Sequence, residues 1–439
     1  MHQSLTAFVW LACGMGALSL LTPCVFPMIP ITVSYFTDHG ARDRSGALGN
    51  AIIFGLGIVL TFTALGMAMA LLFGAGSVNR MAANPWVNLL LTAIFLGFGF
   101  SLFGAFSIRV PGGLLNRLGG VSRRKGTGRL FGTLVMGLVF TLTSFTCTAP
   151  FIGTMLVLAA AGDWKWPLIG MLAFSAVFAL PFFILALVPQ LLSQMPKAGG
   201  WLNSVKVVMG FLEVAAAMKF LANADLIWHW GIFTRETVLA IWVAIGILTV
   251  VYLLGKFQMP HDSLVSTISA SRAVLAIAFL AVSIWLGTGL FGRSLGGMDA
   301  FLPLAPAQPA SAASADPAGH SASLSWIENN FPAALAQARQ QNKPLFVNFT
   351  GYTCTNCRWM EANMFSRPQI KSRLRNFVRA ELYTDGQGKV YADQQKLEND
   401  RFGTVALPLY AIVSPSGKTV ATFLGLTRKP SEFLAFLSK

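Results

Sequence analysis

Eight stretches of this chain are apolar over lengths that can cross a bilayer, which takes about 20 residues of helix. They run roughly from 4–36, 46–74, 85–107, 130–160, 166–189, 203–223, 235–255 and 272–292. Hydrophobic residues make up 54% of the chain and charged residues 11%, against about 45–50% and about 25% in soluble domains. The predicted fold class is therefore a polytopic α-helical membrane domain. Some spans are long and interrupted by Gly or Pro, so they are expected to be broken helices. The sixth carries Lys206, Glu213 and Lys219, charges that either line a cavity or snorkel to the interface.

The net charge of +15 does not point to nucleic acid, because no basic face with interleaved aromatics occurs in the soluble part. Much of the excess lies in short loops. Arg42, Arg44, Arg109, Arg117, Arg123, Arg124, Lys125, Arg129, Lys197, Lys256 and Arg272 fall in odd-numbered loops. The even-numbered loops hold Arg80, Lys165 and Arg235. Basic loops stay inside, so the odd loops are expected to be cytoplasmic and both termini outside. The N-terminus has no Lys or Arg before its apolar run and reads as a retained first span.

Residues 293–324 form an Ala/Pro/Ser-rich tract with little to bury, expected to be a flexible tether. About 30 such residues reach roughly 30 Å. Residues 325–439 change character and predict a small α/β domain. A helical pattern covers 331–341, LFVNFT reads as a strand, and helices follow the CxxC and Pro368. FVRAEL is a strand, LYAIV and TVATFL flank the turn SPSGK, and SEFLAFLSK closes the chain as a helix. That order is thioredoxin-like. The chain thus divides into 1–292, the tether 293–324, and 325–439.

There are five cysteines, too few and wrongly spaced for a disulfide scaffold. Cys354 and Cys357 stand in GYTCTNCRWME, between a strand end and a helix start. A helix N-terminus favours the thiolate, and a second thiol three residues on can resolve a mixed disulfide. Zinc would need about four ligands, and no second pair or nearby His supplies them. No metal or other bound cofactor is expected.

Cys24-Val25-Phe26-Pro27 in the first span has a counterpart in Cys147-Thr148-Ala149-Pro150 in the fourth. Each is followed by two further spans, which suggests two three-span repeats in inverted orientation. Proline removes a backbone donor and breaks the helix. The freed carbonyls need protein or water around them. The broken segments should face one another, with Cys24 and Cys147 meeting the Cα separation of about 4.4–6.8 Å that a disulfide requires. The alternative is that both thiols are small buried apolar groups. Cys13 has no following proline and reads as packing.

TPCVFPMIPI and SFTCTAPFIG resemble the paired motifs of the DsbD/CcdA family of transmembrane thiol:disulfide electron transporters. The C-terminal segment is similar to that family's thioredoxin-like domain. The resemblance implies a protein-disulfide reductase of the bacterial inner membrane with its C-terminal domain in the periplasm. Reducing equivalents would pass from cytoplasmic thioredoxin to Cys24 and Cys147, then to Cys354 as nucleophile and Cys357 as resolving thiol. Periplasmic thiol-disulfide proteins of cytochrome c assembly, isomerisation or stress repair would receive them. Full-length relatives carry an N-terminal immunoglobulin-like domain, and the chain begins instead at its first span. Asn348 stands where the family often has an acid. Glu361 matches a family acid or is a solvated helix charge. Pro408, after Leu407, matches the family's usually cis proline or is an ordinary strand-start proline. A rival reading is a solute or metal transporter with a fused redox chaperone. A peptide-binding scaffold would leave both cysteine motifs without use.

Overall fold

The computed structural model describes residues 5–20, 22, 25, 52–68, 83–105, 141, 165–187, 199–257, 259, 268–303 and 324–439. Cys24, Pro27, Cys147 and Pro150 lie outside the described residues, as does nearly all of the expected fourth span. Seven long helices precede the C-terminal domain among the described residues. They are α1 (Leu5–Ser19), α2 (Ile52–Ala68), α3 (Pro85–Leu102), α4 (Lys165–Leu187), α5 (Gly199–Trp228), α6 (Arg235–Leu253) and α7 (Ala270–Leu290). By length and apolar composition, α3, α6 and α7 can cross a membrane. Shorter apolar stretches occur at Phe8–Ser19, Ile52–Ala68 and Leu168–Ile184.

The chain forms two compact units. The first comprises residues 1–75, 94–214 and 255–269. Its core is phenylalanine-rich, joining Phe54, Ile58 and Phe62 of α2 to Phe174, Phe178 and Phe182 of α4. The chain approaches so closely that a Cβ on Gly16 of α1 would lie 2.7 Å from the Phe174 carbonyl oxygen. Helix α1 stops at Ser19, and the expected span beyond Val25 lies outside the described residues. The Thr22 hydroxyl donates to the Ser19 carbonyl at 2.6 Å, and Val25 is fully buried in the phenylalanine core. Cys13 is a half-buried free thiol in α1.

Helix α5 extends beyond the expected sixth span at both ends. Its Glu213 is 1% exposed, and neither carboxylate oxygen has a hydrogen-bond partner. The Glu213 Cβ packs where a side chain on Gly99 of α3 would sit, 3.5 Å away. Simple snorkelling does not describe this residue.

The second unit comprises residues 76–93, 215–254 and 270–439. Helices α6 and α7 pack side by side, with Gly246 against Ser283. The chain then turns through a 3₁₀ helix, Gly296–Phe301. Sequence composition placed this stretch in the tether, but it is folded up to residue 303. Arg235 at the start of α6 pairs with Asp299 at 2.9 Å and donates to the Gly289 carbonyl at 3.1 Å. Asp299 also accepts from Ser294 Oγ and Leu295 N. Residues 304–323, the rest of the expected tether, lie outside the described residues.

The C-terminal domain is built on a five-stranded mixed sheet in the order β1-β3-β2-β4-β5. Its elements are β1 (Ile327–Glu328), α8 (Phe331–Gln341), β2 (Leu345–Thr350), α9 (Thr355–Trp359), α10 (Pro368–Leu374) and β3 (Val378–Tyr383). Then follow α11 (Lys389–Phe402), β4 (Leu409–Val413), β5 (Thr419–Leu424) and α12 (Pro430–Leu437). β2 is buried along its whole length and splits its residues by parity. Val347 and Phe349 face α8 and α11. Phe346 faces the α10 and α12 side, packed with Phe365, Tyr410 and Phe433.

Candidate active site

The CxxC segment is shaped first by the loop that leads into it. Asp385, 6% exposed after β3, accepts from Tyr352 N at 2.7 Å, Thr353 N at 3.0 Å and Thr353 Oγ1 at 3.0 Å. A Cβ on Gly351 would lie 2.6 Å from the same carboxylate. Glycine is therefore what lets Asp385 reach the loop. Burial pushes the Asp385 carboxyl up, against the pull of these donors.

Cys354 then caps α9, its sulfur accepting from Cys357 N at 3.2 Å. This is the helix-start position expected from sequence. Cys354 and Cys357 are joined as a disulfide with Cα atoms 5.3 Å apart. Cys357 is fully buried, whereas Cys354 is half-buried, so the first is the reachable sulfur. Leu407 and Cys357 belong to one apolar cluster. The Leu407–Pro408 bond that follows is cis, as the resemblance implied.

The helix does not continue evenly. Met360–Met364 forms a π turn, with Phe365 N donating to Met360 O at 2.9 Å. Such turns are frequent at functional sites. Glu361 sits in it and is not a solvated helix charge. Its oxygens lie 2.8 and 2.9 Å from the two terminal nitrogens of Arg358. It also accepts from Thr350 Oγ1 at 2.9 Å and Asn348 Nδ2 at 3.3 Å. Arg358 is 5% exposed and lies over the Tyr383 ring. Asn348 Nδ2 reaches a second acid as well, Glu381 Oε1, at 3.1 Å.

Sequence reasoning singled out Cys354, Cys357, Asn348, Glu361 and Pro408. It missed Arg358, Glu381 and Asp385. The i,i+3 pairing of Arg358 with Glu361 was a readable signal. Glu381 and Asp385 carried none, because strand pairing brings Glu381 to Asn348 and the loop after β3 brings Asp385 to the turn before the CxxC helix. Among the described residues no cluster of three or more potential metal ligands occurs.

Residues 5–224 match the family described as the cytochrome c biogenesis protein transmembrane domain. The chain belongs to that family. Residues 326–415 match a thioredoxin-like family, in agreement with the sheet order. With its apolar helices, membership makes the chain a multi-pass membrane protein. It is similar to the thiol:disulfide interchange protein DsbD of Vibrio vulnificus (strain YJ016), 29% identical over 382 residues, covering 85% of this chain and 57% of the relative. It is also 28% identical over 366 residues to a thiol:disulfide interchange protein DsbD 2 of Pseudomonas aeruginosa, covering 82% and 58%. A DsbD of Pseudoalteromonas atlantica is 26% identical over 426 residues, covering 94% and 64%. The chain thus spans less than two thirds of each of these relatives.

Within the second unit, the residue just past α5 and the 3₁₀ helix after α7 both touch the CxxC domain. The His229 ring, just past α5, meets the Tyr352 ring edge-on at 5.8 Å. Asn363 Nδ2 of the π turn donates to Gly296 O of the 3₁₀ helix at 3.4 Å.

Proposed function

We propose that the protein is a transmembrane protein-disulfide reductase. Reducing equivalents pass from cytoplasmic thioredoxin to Cys24 and Cys147, then to Cys354–Cys357, and on to periplasmic disulfides. The observation that carries the reading is the Cys354–Cys357 disulfide, with one reachable and one buried sulfur, fused to a membrane domain of this family. The names of the relatives, thiol:disulfide interchange proteins, support the same reaction.

Each exchange is a pair of substitutions at sulfur. An incoming thiolate attacks Cys354 Sγ, the Cys354–Cys357 bond opens, and Cys357 Sγ leaves with the electron pair. The second thiol of the donor then attacks the mixed disulfide and releases Cys354. Two electrons move and no bound cofactor is needed. The direction follows the difference in potential, about 30 mV being worth about 1.4 kcal/mol for a two-electron couple. The periplasmic acceptors are proteins of cytochrome c assembly, disulfide isomerisation or stress repair. Both termini lie on the periplasmic side of the inner membrane.

The test is the thiol state of Cys354 and Cys357 in cells, trapped by acid quench and alkylation. In Cys147→Ala the outer pair should accumulate as the disulfide. An outer pair as reduced as in wild type would remove the membrane thiols from the path and overturn the reading.

A further inference from the structure

Helix α10 and its flanks carry charge of one sign. Residues 366–380 hold Arg367, Lys371, Arg373, Arg375 and Arg379 and neither Asp nor Glu. Arg367, Lys371 and Arg375 are tied turn to turn, Lys371 N donating to Arg367 O at 2.9 Å and Arg375 N to Lys371 O at 3.2 Å. They therefore form one stripe, while Ile370 and Leu374 turn into the core. Arg367 and Arg375 are exposed and Lys371 is half-buried. Among the described residues none of the three pairs with a carboxylate. Like charges one turn apart repel, so the stripe costs stability unless an anion lies against it. On the opposite face of the sheet, α11 mixes cations and acids instead.

The place of the stripe narrows the choice of anion. Arg367 Nε donates to the Asn363 carbonyl at 3.2 Å, and Asn363 is the residue that reaches Gly296 O, just past α7. His229, whose ring meets Tyr352, stands between Trp228 and Trp230. The Trp228 ring lies 5.5 Å from Trp86, at the start of α3, and 4.7 Å from Trp230. Trp86 and Trp230 are exposed, as is Phe291 after α7. Tryptophans at the ends of membrane helices settle at the level of the lipid headgroups. The CxxC domain thus meets the helix ends at that level, and the stripe begins one turn from one of the two contacts. Beyond its far end, Arg379 donates to Ser325 O at 3.0 Å, where the chain re-enters from the tether. Burial and then the charge of Arg375 push the Arg379 guanidinium down, so the stripe continues to that point.

We propose that the stripe Arg367, Lys371 and Arg375 rests on anionic phospholipid headgroups of the bilayer that the chain's own helices cross. The row runs about 12 Å along the helix at 1.5 Å per residue, a length that suits a surface of repeated phosphates better than one small ion. Each cation donates charge-assisted hydrogen bonds to phosphate oxygens, and the repulsion along the row is relieved. The contact adds a third hold on the domain to those at Tyr352 and Asn363. The position of the CxxC over the helix ends then depends on the charge of the lipid beside it. This surface is independent of the electron path proposed above.

The experiment places the full-length protein in nanodiscs of phosphatidylcholine alone, or of phosphatidylcholine with phosphatidylglycerol. Hydrogen exchange of peptides covering residues 366–377 is read by mass. In the anionic discs their exchange should slow by at least about tenfold, with β2 and β4 unchanged. Salt at about 0.5 M, which cuts the Debye length to a few ångströms, should abolish the difference. The combined variant Arg367→Gln, Lys371→Gln and Arg375→Gln should exchange alike in both discs. Equal exchange of the wild type in the two lipids overturns the proposal, as does a slowing that survives in the variant. An equal slowing in phosphatidylcholine discs on adding millimolar inorganic phosphate would make the stripe a small-anion site. The same result with polyglutamate would make it a protein-docking surface, and either overturns the lipid assignment. If the variant loses its fold, the wild-type comparison between lipids and salts decides alone.

Discussion

Glu361 and Glu398 lie on opposite faces of the thioredoxin-like sheet, and their surroundings differ. Glu361 faces the cation of Arg358 and two neutral donors. Glu398, on α11, is fully buried with neither oxygen hydrogen-bonded, beside Gln394, whose amide also lacks partners. Leu397 and Phe402 of that helix pack into the apolar cluster around Val347 and Phe349. Burial alone therefore does not decide how an acid is held. What distinguishes the CxxC side is a set of groups that answer one another's charge.

The strongest way to break the contrast is Arg358→Met. It leaves Glu361 without its cation, and removing one member of a buried pair costs about 3–5 kcal/mol. Hydrogen exchange in the full-length protein should show β2 and β3 losing protection by that amount. Unchanged protection would put Glu361 in the same class as Glu398.

Glu398→Gln works in the opposite direction. Burial raises the Glu398 carboxyl to about 9, so the folded domain keeps a proton that the unfolded chain releases above the ordinary carboxylate range. Stability then falls as the pH rises from about 4.5 toward about 9. The glutamine variant should be more stable by about 2–4 kcal/mol at pH 8, with the gain gone near pH 4. Thermal unfolding at the two pH values reads this directly, and an equal shift at both would refute it.

The smallest expected effect is at the rim of the same helix. Tyr391→Phe removes the 3.3 Å contact between the Tyr391 and Tyr352 hydroxyls, worth about 1 kcal/mol. It should lower the unfolding midpoint slightly without changing the rate of disulfide reduction.

The same contrast explains what could be read in advance. LFVNFT, the CxxC, the SPSGK hairpin and the closing helix were legible because their apolar periods match their structures. Helix Lys389–Phe402 was not, because its inward face carries Gln394, Gln395 and Glu398 where an apolar stripe would have announced it. β1 is two residues long and exists through its pairing with β3. The folded turn Gly296–Phe301 was hidden in a tract of weak composition, since what fixes it is Arg235, about 60 residues earlier in the chain. At the site, the cysteines and Glu361 were visible as spacing. Glu381 and Asp385 depend on strand register and a loop return.

That distant arginine has a mechanical consequence. The Arg235–Asp299 clasp fastens the beginning of one membrane helix to the bend after its neighbour. The same bend supplies the Gly296 carbonyl on which Asn363 rests. Any tilt of the helix pair would therefore reach the π turn after the CxxC helix through a main-chain oxygen.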